Sequence, residues 1–331
     1  MESAPVVISM AEEREEAVIK EGSTFLDGDK ELIEPGDLVM VYVSYGCCYP
    51  IVVARGQALS MRYGALRHDY LIGRPFGSRV SASAGYVHAL RPTPEMWTRS
   101  LAHRTQILYS ADIALVGTLL DLKAGSRLAE SGTGSASATH AFARTLAPSG
   151  RLYSYDVDDG RVREAASELG RHGLADFVQL RRADVCEEGF VGVEDGELDG
   201  VFLDLPEPWL AVPFAAKALR RLGRFCSFSP CIEQTQRSCE QLRLHGFVQI
   251  ETVELVPKTY KPLGVGVSEA KKKGGAAAKR KREEGAESSP GPLRCVPYPV
   301  QQPTHTGYLT SATLLMIEQS SAGSGESETD D

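Results

Sequence analysis

The chain has 331 residues, of which 42% are hydrophobic and 24% are charged, so it can form a large apolar core and about two domains. Its formal net charge of −8 argues mildly against a nucleic-acid-binding protein, because phosphate neutralisation supplies most of that affinity. Any such role would need local basic patches or a basic partner. No apolar run approaches the roughly 18 residues of a membrane span, and the acidic start is unlike a signal peptide. We therefore expect an intracellular protein with reduced cysteines and no membrane association.

The first 90 residues are predicted to form a small β-rich domain. An acidic, helix-compatible leading segment is followed by short β-like runs that Gly and Pro interrupt, among them DLVMVYVSYG and AGYVHAL. From residue 91 the sequence RPTPEMWTRSLAHRTQILY contains two prolines and precedes apolar positions at helical spacing. We interpret this stretch as a linker followed by a helix.

Residues 91–257 are predicted to form a doubly wound α/β domain. Strand-like runs (SRLAES, YSYDV, FVQLRRAD, GVFLDLP and FCSFSP) alternate with helical patterns such as DGRVREAASELGRHG, which is typical of a parallel sheet. Residues 258–304 are rich in Lys, Gly and Pro without apolar periodicity, which predicts a disordered insertion. The strand-like GYLTSATLLMIE within 305–318 should supply the last strand of the sheet. An acidic tail, predicted to be disordered, occupies 319–331.

A glycine loop, ESGTGSAS, follows the first of these strands and precedes a helical pattern. Glycines at such a position let the backbone approach a ligand and turn sharply into the helix. Ser137 stands where the dinucleotide fingerprint has its third glycine, so the fingerprint is incomplete. The G-x-G pair by itself fits either a ligand-binding loop or a plain tight turn.

Three carboxylates follow successive predicted strands: Asp156, Asp184 and Asp204. Asp156 lies 24 residues after Gly132, a spacing that suits hydrogen bonds to both hydroxyls of a ribose. This favours an adenosine-containing ligand, with Asp184 near an adenine amino group and Asp204 nearer the reacting end. For any one of them alone, a helix N-cap or a solvated loop residue is the favoured interpretation. Together, at the ends of neighbouring strands, they indicate a site.

Several longer strings carry a family resemblance. HRTQILY, FLDLPEPW, FSPCIEQTQR and HTGYLT accompany the glycine loop, and methyltransferases that share only that loop lack them. The chain resembles the catalytic subunits of eukaryotic tRNA methyltransferases that make N1-methyladenosine at position 58. The resemblance implies a class I, Rossmann-like methyltransferase sheet. Two positions depart from the family pattern, since Ala136 replaces a glycine and Asp156 stands where relatives often have Glu.

The resemblance also implies a cofactor, S-adenosylmethionine, and a catalytic carboxylate, Asp204. Its carboxylate would stabilise the cationic methylated base and could take a proton from the exocyclic amino group. The implied cofactor-binding residues are Leu108, Gly132, Gly134, Ser135, Ala136, Ser137, Asp156, Arg161, Asp184, Val185 and Asp204. The implied contacts to substrate RNA are Arg104, Gln106, Leu203, Pro206, Ser227, Phe228, Ser229, Pro230, Cys231, Gln234 and Thr306. No metal is assigned, because the cysteines lack ligand spacing.

The partners implied by the resemblance are tRNA and a non-catalytic paralogous subunit, in a heterotetramer of two plus two subunits. We therefore predict weak activity of the single chain. Basic runs at 271–273 and 279–282 fit a bipartite nuclear localisation signal, an RNA contact or a solvated linker, and we expect a nuclear protein. Two other functions remain open: a non-catalytic RNA-binding subunit, and a nicotinamide-dependent oxidoreductase, which Ser137 disfavours.

Overall fold

The computed structural model describes residues 26, 28, 30–44, 47–102, 104–258, 260–263, 294–297 and 306–315. The chain divides into two compact units, one comprising 1–254 with 307–331 and the other 255–306. The acidic leading segment, most of the predicted insertion with its basic runs, and the acidic tail lie outside the described residues. Within the described ranges, no helix is long and apolar enough to cross a bilayer.

The described residues of the N-terminal part are rich in β-strands, as the sequence predicted. Its strands are β1 (Leu38–Ser44), β2 (Cys47–Val52), β3 (Ala58–Met61), β4 (Gly64–Arg67), β5 (Arg79–Ala82) and β6 (Gly85–Leu90). Four of them form an antiparallel sheet in the order β2-β1-β6-β5, and β3 pairs with β4 in a hairpin. Alternate residues such as Val39 and Val41 are buried in a cluster of their own on one face.

The larger part is a doubly wound sheet with six helices, α1 (Pro94–Ser100), α2 (Ser110–Leu119), α3 (Ser137–Leu146), α4 (Asp159–Arg171), α5 (Pro208–Ala218) and α6 (Ile232–Leu244). Its first six strands are β7 (Arg127–Ser131), β8 (Arg151–Asp156), β9 (Val178–Arg182), β10 (Leu198–Leu203), β11 (Leu219–Ser229) and β12 (Phe247–Glu254). The second unit contains a hairpin of β13 (Tyr260–Leu263) and β14 (Arg294–Pro297). The strand predicted after the insertion is present as β15 (Tyr308–Leu314).

The seven strands have the order β12-β15-β11-β10-β7-β8-β9. The strands from β11 to β9 in this order run parallel, and β15 is antiparallel to both of its neighbours. One face packs Phe142, Val162 and Ile113 from the first helices into a core. The other packs Ala211 and Leu242 from α5 and α6. Burial on both faces explains why these strands read as continuous apolar runs.

Two expectations need correction. The stretch interpreted as a linker contains α1, whose cap was readable in the sequence: Thr93 Oγ1 accepts a hydrogen bond from Met96 N at 3.4 Å and Pro94 occupies the first turn. The strands carrying Asp156 and Asp204 are not neighbours, because β7 lies between β8 and β10. Crossovers to both sides of β7 make this the point where the strand order reverses, and ligands of open α/β sheets bind at such a point.

Candidate active site

The glycine loop and two of the predicted carboxylates lie at one level on the carboxyl edge of the sheet. Ser131 pairs in register with Leu203 on one side and with Tyr155 on the other. The next residues along the three strands are Gly132, Asp204 and Asp156. Asp204 and Asp156 therefore flank the glycine loop.

Gly132 is required by the close approach of the Asp204 loop. Its φ is +99°, and a Cβ there would lie 2.3 Å from the carbonyl oxygen of Asp204. The backbone N–H of Asp204 donates to the Ser131 carbonyl at 2.9 Å. The backbone that carries the catalytic candidate is thus fixed against the glycine loop, and only glycine fits at that contact.

A covering segment, residues 104–109, lies against the other glycine of the pair. A Cβ on Gly134, whose φ is +52°, would lie 2.7 Å from Thr105 Oγ1. Ser135 is buried, and its hydroxyl accepts hydrogen bonds from the backbone N–H groups of Arg104 at 2.9 Å and Thr105 at 3.1 Å. In this structure Ser135, predicted to contact the cofactor, instead holds the covering segment.

At the start of α3, Ser137, another predicted cofactor residue, also bonds to other segments of the chain. Ser137 Oγ donates to the Leu108 carbonyl at 3.2 Å and bonds Thr98 Oγ1 at 2.9 Å. Ala136 is fully buried with φ +58°, in the left-handed region that favours glycine. The alanine that departs from the family pattern thus stands at a backbone position where a glycine is at no disadvantage.

Asp156 is buried and its carboxylate has several donors. It accepts from Gly134 N at 2.9 Å and Asp158 N at 3.0 Å, and it forms an ion pair with Arg161 Nη2 at 2.7 Å. The structure therefore brings together three predicted cofactor residues, Gly134, Asp156 and Arg161. Val157, the next residue, is 53% exposed and offers apolar surface beside the carboxylate.

A third carboxylate, Glu130, lies one residue before the end of β7. It is buried, and its carboxylate accepts hydrogen bonds from Thr139 Oγ1 at 2.8 Å and Ser154 Oγ at 2.9 Å. Its pKa is raised to about 8, mainly by burial and in smaller part by the charges of Asp204 and Asp156. Burial also raises the pKa of Asp204, to about 6. Perturbed carboxylates grouped at a strand-order reversal are typical of a functional site.

The residues predicted to lie near the adenine of the cofactor are partly or fully buried. Val185 is buried in the core, as is Leu108 on the other side of the sheet. Asp184 is half-buried and accepts a hydrogen bond from Cys186 N at 2.9 Å. Asp156 ends β8 and Asp184 follows β9, and these two strands are neighbours in the sheet.

Several residues predicted to contact RNA are buried in this structure. Leu203 is 0% exposed, and Ser227 and Ser229 are at most 1% exposed, so their side chains form no surface on which RNA could bind. The reason is that β10 and β11 are central strands covered on both faces. The Arg104 guanidinium is also engaged, since it forms two hydrogen bonds with Glu168 on α4, at 2.9 and 3.1 Å.

The remaining predicted RNA contacts are more open. Gln106, Pro206, Pro230 and Cys231 are exposed, Phe228 is half-buried and Thr306 belongs to the second unit. Gln234 joins the loops after β10 and β11, because its Nε2 donates to the Pro206 carbonyl at 2.9 Å and its Oε1 accepts from Cys231 N at 3.3 Å. The Arg237 guanidinium lies 5.0 Å from the ring centroid of Trp209, so this tryptophan helps to anchor the loop after β10 to α6.

Three contributors were missed by sequence reasoning: Glu130, Val157 and Thr105. The first two had a readable signal, since an acid ending an apolar strand and a valine directly after Asp156 both adjoin predicted site residues. Thr105 had none, because only the fold brings the covering segment to Gly134. Within the described ranges, no group of three or more His, Cys, Asp or Glu side chains is placed to hold a metal ion.

A family model described as the tRNA methyltransferase complex GCD14 subunit matches residues 85–314, well over half of the chain. The chain belongs to this family. Its relatives include a tRNA (adenine(58)-N(1))-methyltransferase catalytic subunit TRM61 from Candida albicans, 44% identical over 236 residues that cover 70% of each chain. Other relatives with that description are covered over 53% to 64% of their length.

Solved structures resemble this GCD14-family chain over most of its length. A SAM-dependent O-methyltransferase from Thermotoga maritima has a TM-score of 0.71 at 25% identity, with 87% of this chain and 97% of that chain covered. The tRNA (m1A58) methyltransferase TrmI from Aquifex aeolicus has a TM-score of 0.66 at 22% identity, with 86% and 100% covered. The second likeness supports the fold alone. The predicted class I sheet preceded by a β-rich part is confirmed.

Proposed function

We propose that this chain is the catalytic subunit that transfers a methyl group from S-adenosylmethionine to N1 of adenosine 58 in the T-loop of tRNA. The observation that carries the proposal is the position of Asp204, level with Asp156 across the glycine loop. The family match and the Candida relative, named for this reaction, support it. Among the residues that the structure describes, no feature favours the nicotinamide-dependent alternative.

The residues present fit S-adenosylmethionine. The carboxylates of Asp156 and Asp204, on either side of the glycine loop, complement a ligand that carries positive charge. Gly132 to Ser137 would hold it, with the ribose on Asp156 and the adenine beside Val157 and Asp184. When bound, it supplies an electrophilic methyl group, so the protein's task is mainly to orient the adenine N1 lone pair.

Asp204 has a role that its environment supports. With a pKa of about 6, its carboxylate is mostly ionised at neutral pH yet can accept a proton. It would accept a hydrogen bond from the exocyclic amino group of adenine and stabilise the positive charge that develops on the base. Because N1 lies on the base-pairing edge, the nucleotide must be turned out of its stack to reach this carboxylate.

The test is transfer of labelled methyl groups to unmodified tRNA by the chain co-purified with its partners, followed by digestion to nucleosides. We expect N1-methyladenosine from the wild type and a rate lower by about 10²- to 10³-fold for Asp204→Asn. Asp195→Asn is the matched control and should keep full activity, because the Asp195 carboxylate is exposed and paired with Lys217. Binding of S-adenosylmethionine to the variant checks that the site is folded.

Other outcomes identify other functions. Equal rates for wild type and Asp204→Asn would remove this residue from its role. A complex that binds tRNA without making N1-methyladenosine would favour the non-catalytic subunit. Binding of NAD in place of S-adenosylmethionine would favour the oxidoreductase.

The proposal includes the partner implied by the sequence resemblance, a non-catalytic paralogous subunit in a heterotetramer of two plus two. The family description, which names a subunit of a complex, supports a partner of some kind. We expect the isolated chain to bind tRNA and to methylate it much more slowly than the co-purified complex. Light scattering of the complex measures the stoichiometry, and equal rates for the single chain would contradict the need for a partner.

We also propose that the protein acts in the nucleus. The support is the pair of basic runs at 271–273 and 279–282, which lie outside the described residues. Replacing both runs with glutamine in a fluorescent fusion should move the protein out of the nucleus. An unchanged distribution would contradict the assignment of the signal.

A further inference from the structure

One stretch of this acidic chain, in the N-terminal part, has an excess of positive charge. Residues 55–91 contain six arginines, no lysine and one acidic residue, Asp69, although the chain as a whole has a net charge of −8. This stretch runs from the end of β2 through β6, so the arginines belong to the N-terminal β-rich part. The proposed site on the larger sheet has the opposite character, since carboxylates dominate it.

Five of these arginines are exposed and, within the described part of the chain, form no ion pair: Arg55, Arg62, Arg67, Arg74 and Arg79. Some arginines of the larger part, by contrast, are ion-paired. Arg163 pairs with Asp159 and Arg220 with Asp199, at 2.6 and 2.5 Å. The β-rich part therefore presents positive charge that the protein itself does not neutralise.

Two of the free guanidiniums lie over tyrosine rings. Arg79 Cζ is 4.3 Å from the ring centroid of Tyr86, which is 50% exposed, and Arg62 Cζ is 5.1 Å from that of Tyr63. Arg62 and Tyr63 form the β3–β4 turn, which is hydrogen-bonded to the turn of the β5–β6 hairpin, because Ala84 N donates to the Tyr63 carbonyl at 2.9 Å. The two arginine–tyrosine pairs thus belong to hairpins that are hydrogen-bonded to each other.

The face that carries Arg79 extends across the sheet toward the larger part. Arg79 is directly opposite His88, and His88 is directly opposite Tyr42, so the three share a face. Leu38, on the same face of β1, packs in the core cluster that includes Trp97 and Leu101. These two residues lie on and just after α1, which leads into the covering segment over the glycine loop. The arginine-bearing face therefore continues toward the site side of the molecule.

We propose that the surface formed by Arg62, Tyr63, Arg79, Tyr86 and His88, the arginine face, binds phosphates of the substrate RNA away from the methylated nucleotide. This inference rests on the proposed function for the choice of RNA. Guanidinium groups bind phosphate oxygens with two hydrogen bonds, and exposed tyrosines can stack on unpaired bases. The carboxylate-rich site would repel the RNA backbone, so a separate positive surface would supply attraction that the site itself lacks.

The test uses the complex of the full chain with its partner. The double variant Arg62→Gln/Arg79→Gln is compared with Arg163→Gln/Arg220→Gln, which removes the same charge from ion-paired positions elsewhere. Dissociation constants for unmodified tRNA are measured without cofactor between 50 and 200 mM salt. We expect the arginine-face variant to bind about 10-fold more weakly and to lose about 1.5 to 2 from the slope of log Kd against log salt. The control should match the wild type.

Steady-state kinetics and a conservative variant sharpen the test. The KM for tRNA should rise in the arginine-face variant, whereas kcat and the KM for S-adenosylmethionine stay unchanged. Arg62→Lys/Arg79→Lys should restore the salt slope but only part of the affinity, because lysine keeps the charge without the two-pronged geometry. An unchanged thermal unfolding midpoint establishes that the variants are folded.

An equal loss in the control pair, or an unchanged Kd and salt slope, would overturn the proposal. So would a variant that loses binding to phosphatidylserine vesicles while keeping its tRNA affinity, since the surface would then fit a membrane. Because tRNA binding is measured without cofactor, failure of the arginine-face proposal can be distinguished from failure of the proposed methyl transfer. A complex that binds tRNA through these arginines without methylating it would contradict the catalytic role alone.

Discussion

The carboxyl edge of the large sheet and the arginine face of the N-terminal sheet are both charged, but they carry their charge in different ways. At the edge, Glu130 and Asp156 are buried and the pKa values of Glu130 and Asp204 are raised. On the arginine face, the guanidiniums of Arg62 and Arg79 are exposed and form no ion pair within the described residues. The comparison teaches that the net charge of −8 describes neither region.

The physical difference is solvation. A carboxylate withdrawn from water resists ionisation. Burial at the carboxyl edge therefore tunes the carboxylates for catalysis at a cost to the stability of the folded protein. A solvated arginine keeps its charge at little free-energy cost, and its long-range attraction is available to a polyanion. Substitutions at the edge should therefore change folding and rate together, whereas substitutions on the arginine face should change binding alone.

The largest effect on stability is expected at Gly132. Gly132→Ala places a Cβ 2.3 Å from the Asp204 carbonyl at a φ of +99°, so the backbone must shift and the free energy of unfolding should fall by about 3 kcal/mol. Gly117→Ala is the matched control, because nothing lies within 4 Å of its Cβ position on α2, and it should stabilise by about 0.5 to 1 kcal/mol. Denaturant unfolding measures both. Equal stability of the two variants would show that the glycine loop is not close-packed.

A smaller, pH-dependent effect is expected at Glu130. Its pKa is raised from 4.5 to about 8, so the folded state holds a proton that the unfolded state releases. The stability that this proton contributes is full below pH 4.5 and is lost as pH rises toward 8. Between pH 6 and pH 8 the free energy of unfolding of Glu130→Gln should therefore fall by about 2 kcal/mol less than that of the wild type. Parallel stability curves for the two proteins over this range would contradict a raised pKa.

The rate of methyl transfer should report the pKa of Asp204. Because burial raises this pKa to about 6, the carboxylate is protonated as pH falls through 6 and can no longer accept a hydrogen bond from the base. We expect kcat to fall about tenfold between pH 7 and pH 5, equivalent to about 1.4 kcal/mol. Single-turnover rates with saturating substrates measure it. A flat profile down to pH 5 would place the pKa near its ordinary value.

The smallest effect is expected on the arginine face. Arg79→Gln removes a solvated charge and one cation–π contact, so the free energy of unfolding should change by less than about 0.5 kcal/mol. Denaturant unfolding at low salt measures the change. A loss above about 1 kcal/mol would show that Arg79 is a structural residue, and the contrast with the carboxyl edge would then be weaker than proposed.

Much of the candidate site was predictable because its signals are local. Asp156 and Asp204 end apolar runs, and G-T-G-S sits between a strand and a helix, so turn chemistry and hydrophobic period place them at one sheet edge. Burial was harder to predict. Ser227 and Ser229 are polar, which favours exposure, yet β11 is a central strand and both are at most 1% exposed.

By itself, the sequence determined the alternation of strands and helices, the carboxylates at strand ends and the family of the chain, because these depend on near neighbours and on short strings. Only the tertiary structure decided that β7 separates Asp156 from Asp204, that the Ser135 hydroxyl holds the covering segment, and that Arg62 and Arg79 belong to hydrogen-bonded hairpins. Those outcomes depend on which distant segments pair and on which groups lose water. The pairing of strands far apart in sequence, and the desolvation that follows from it, are properties of the folded chain as a whole.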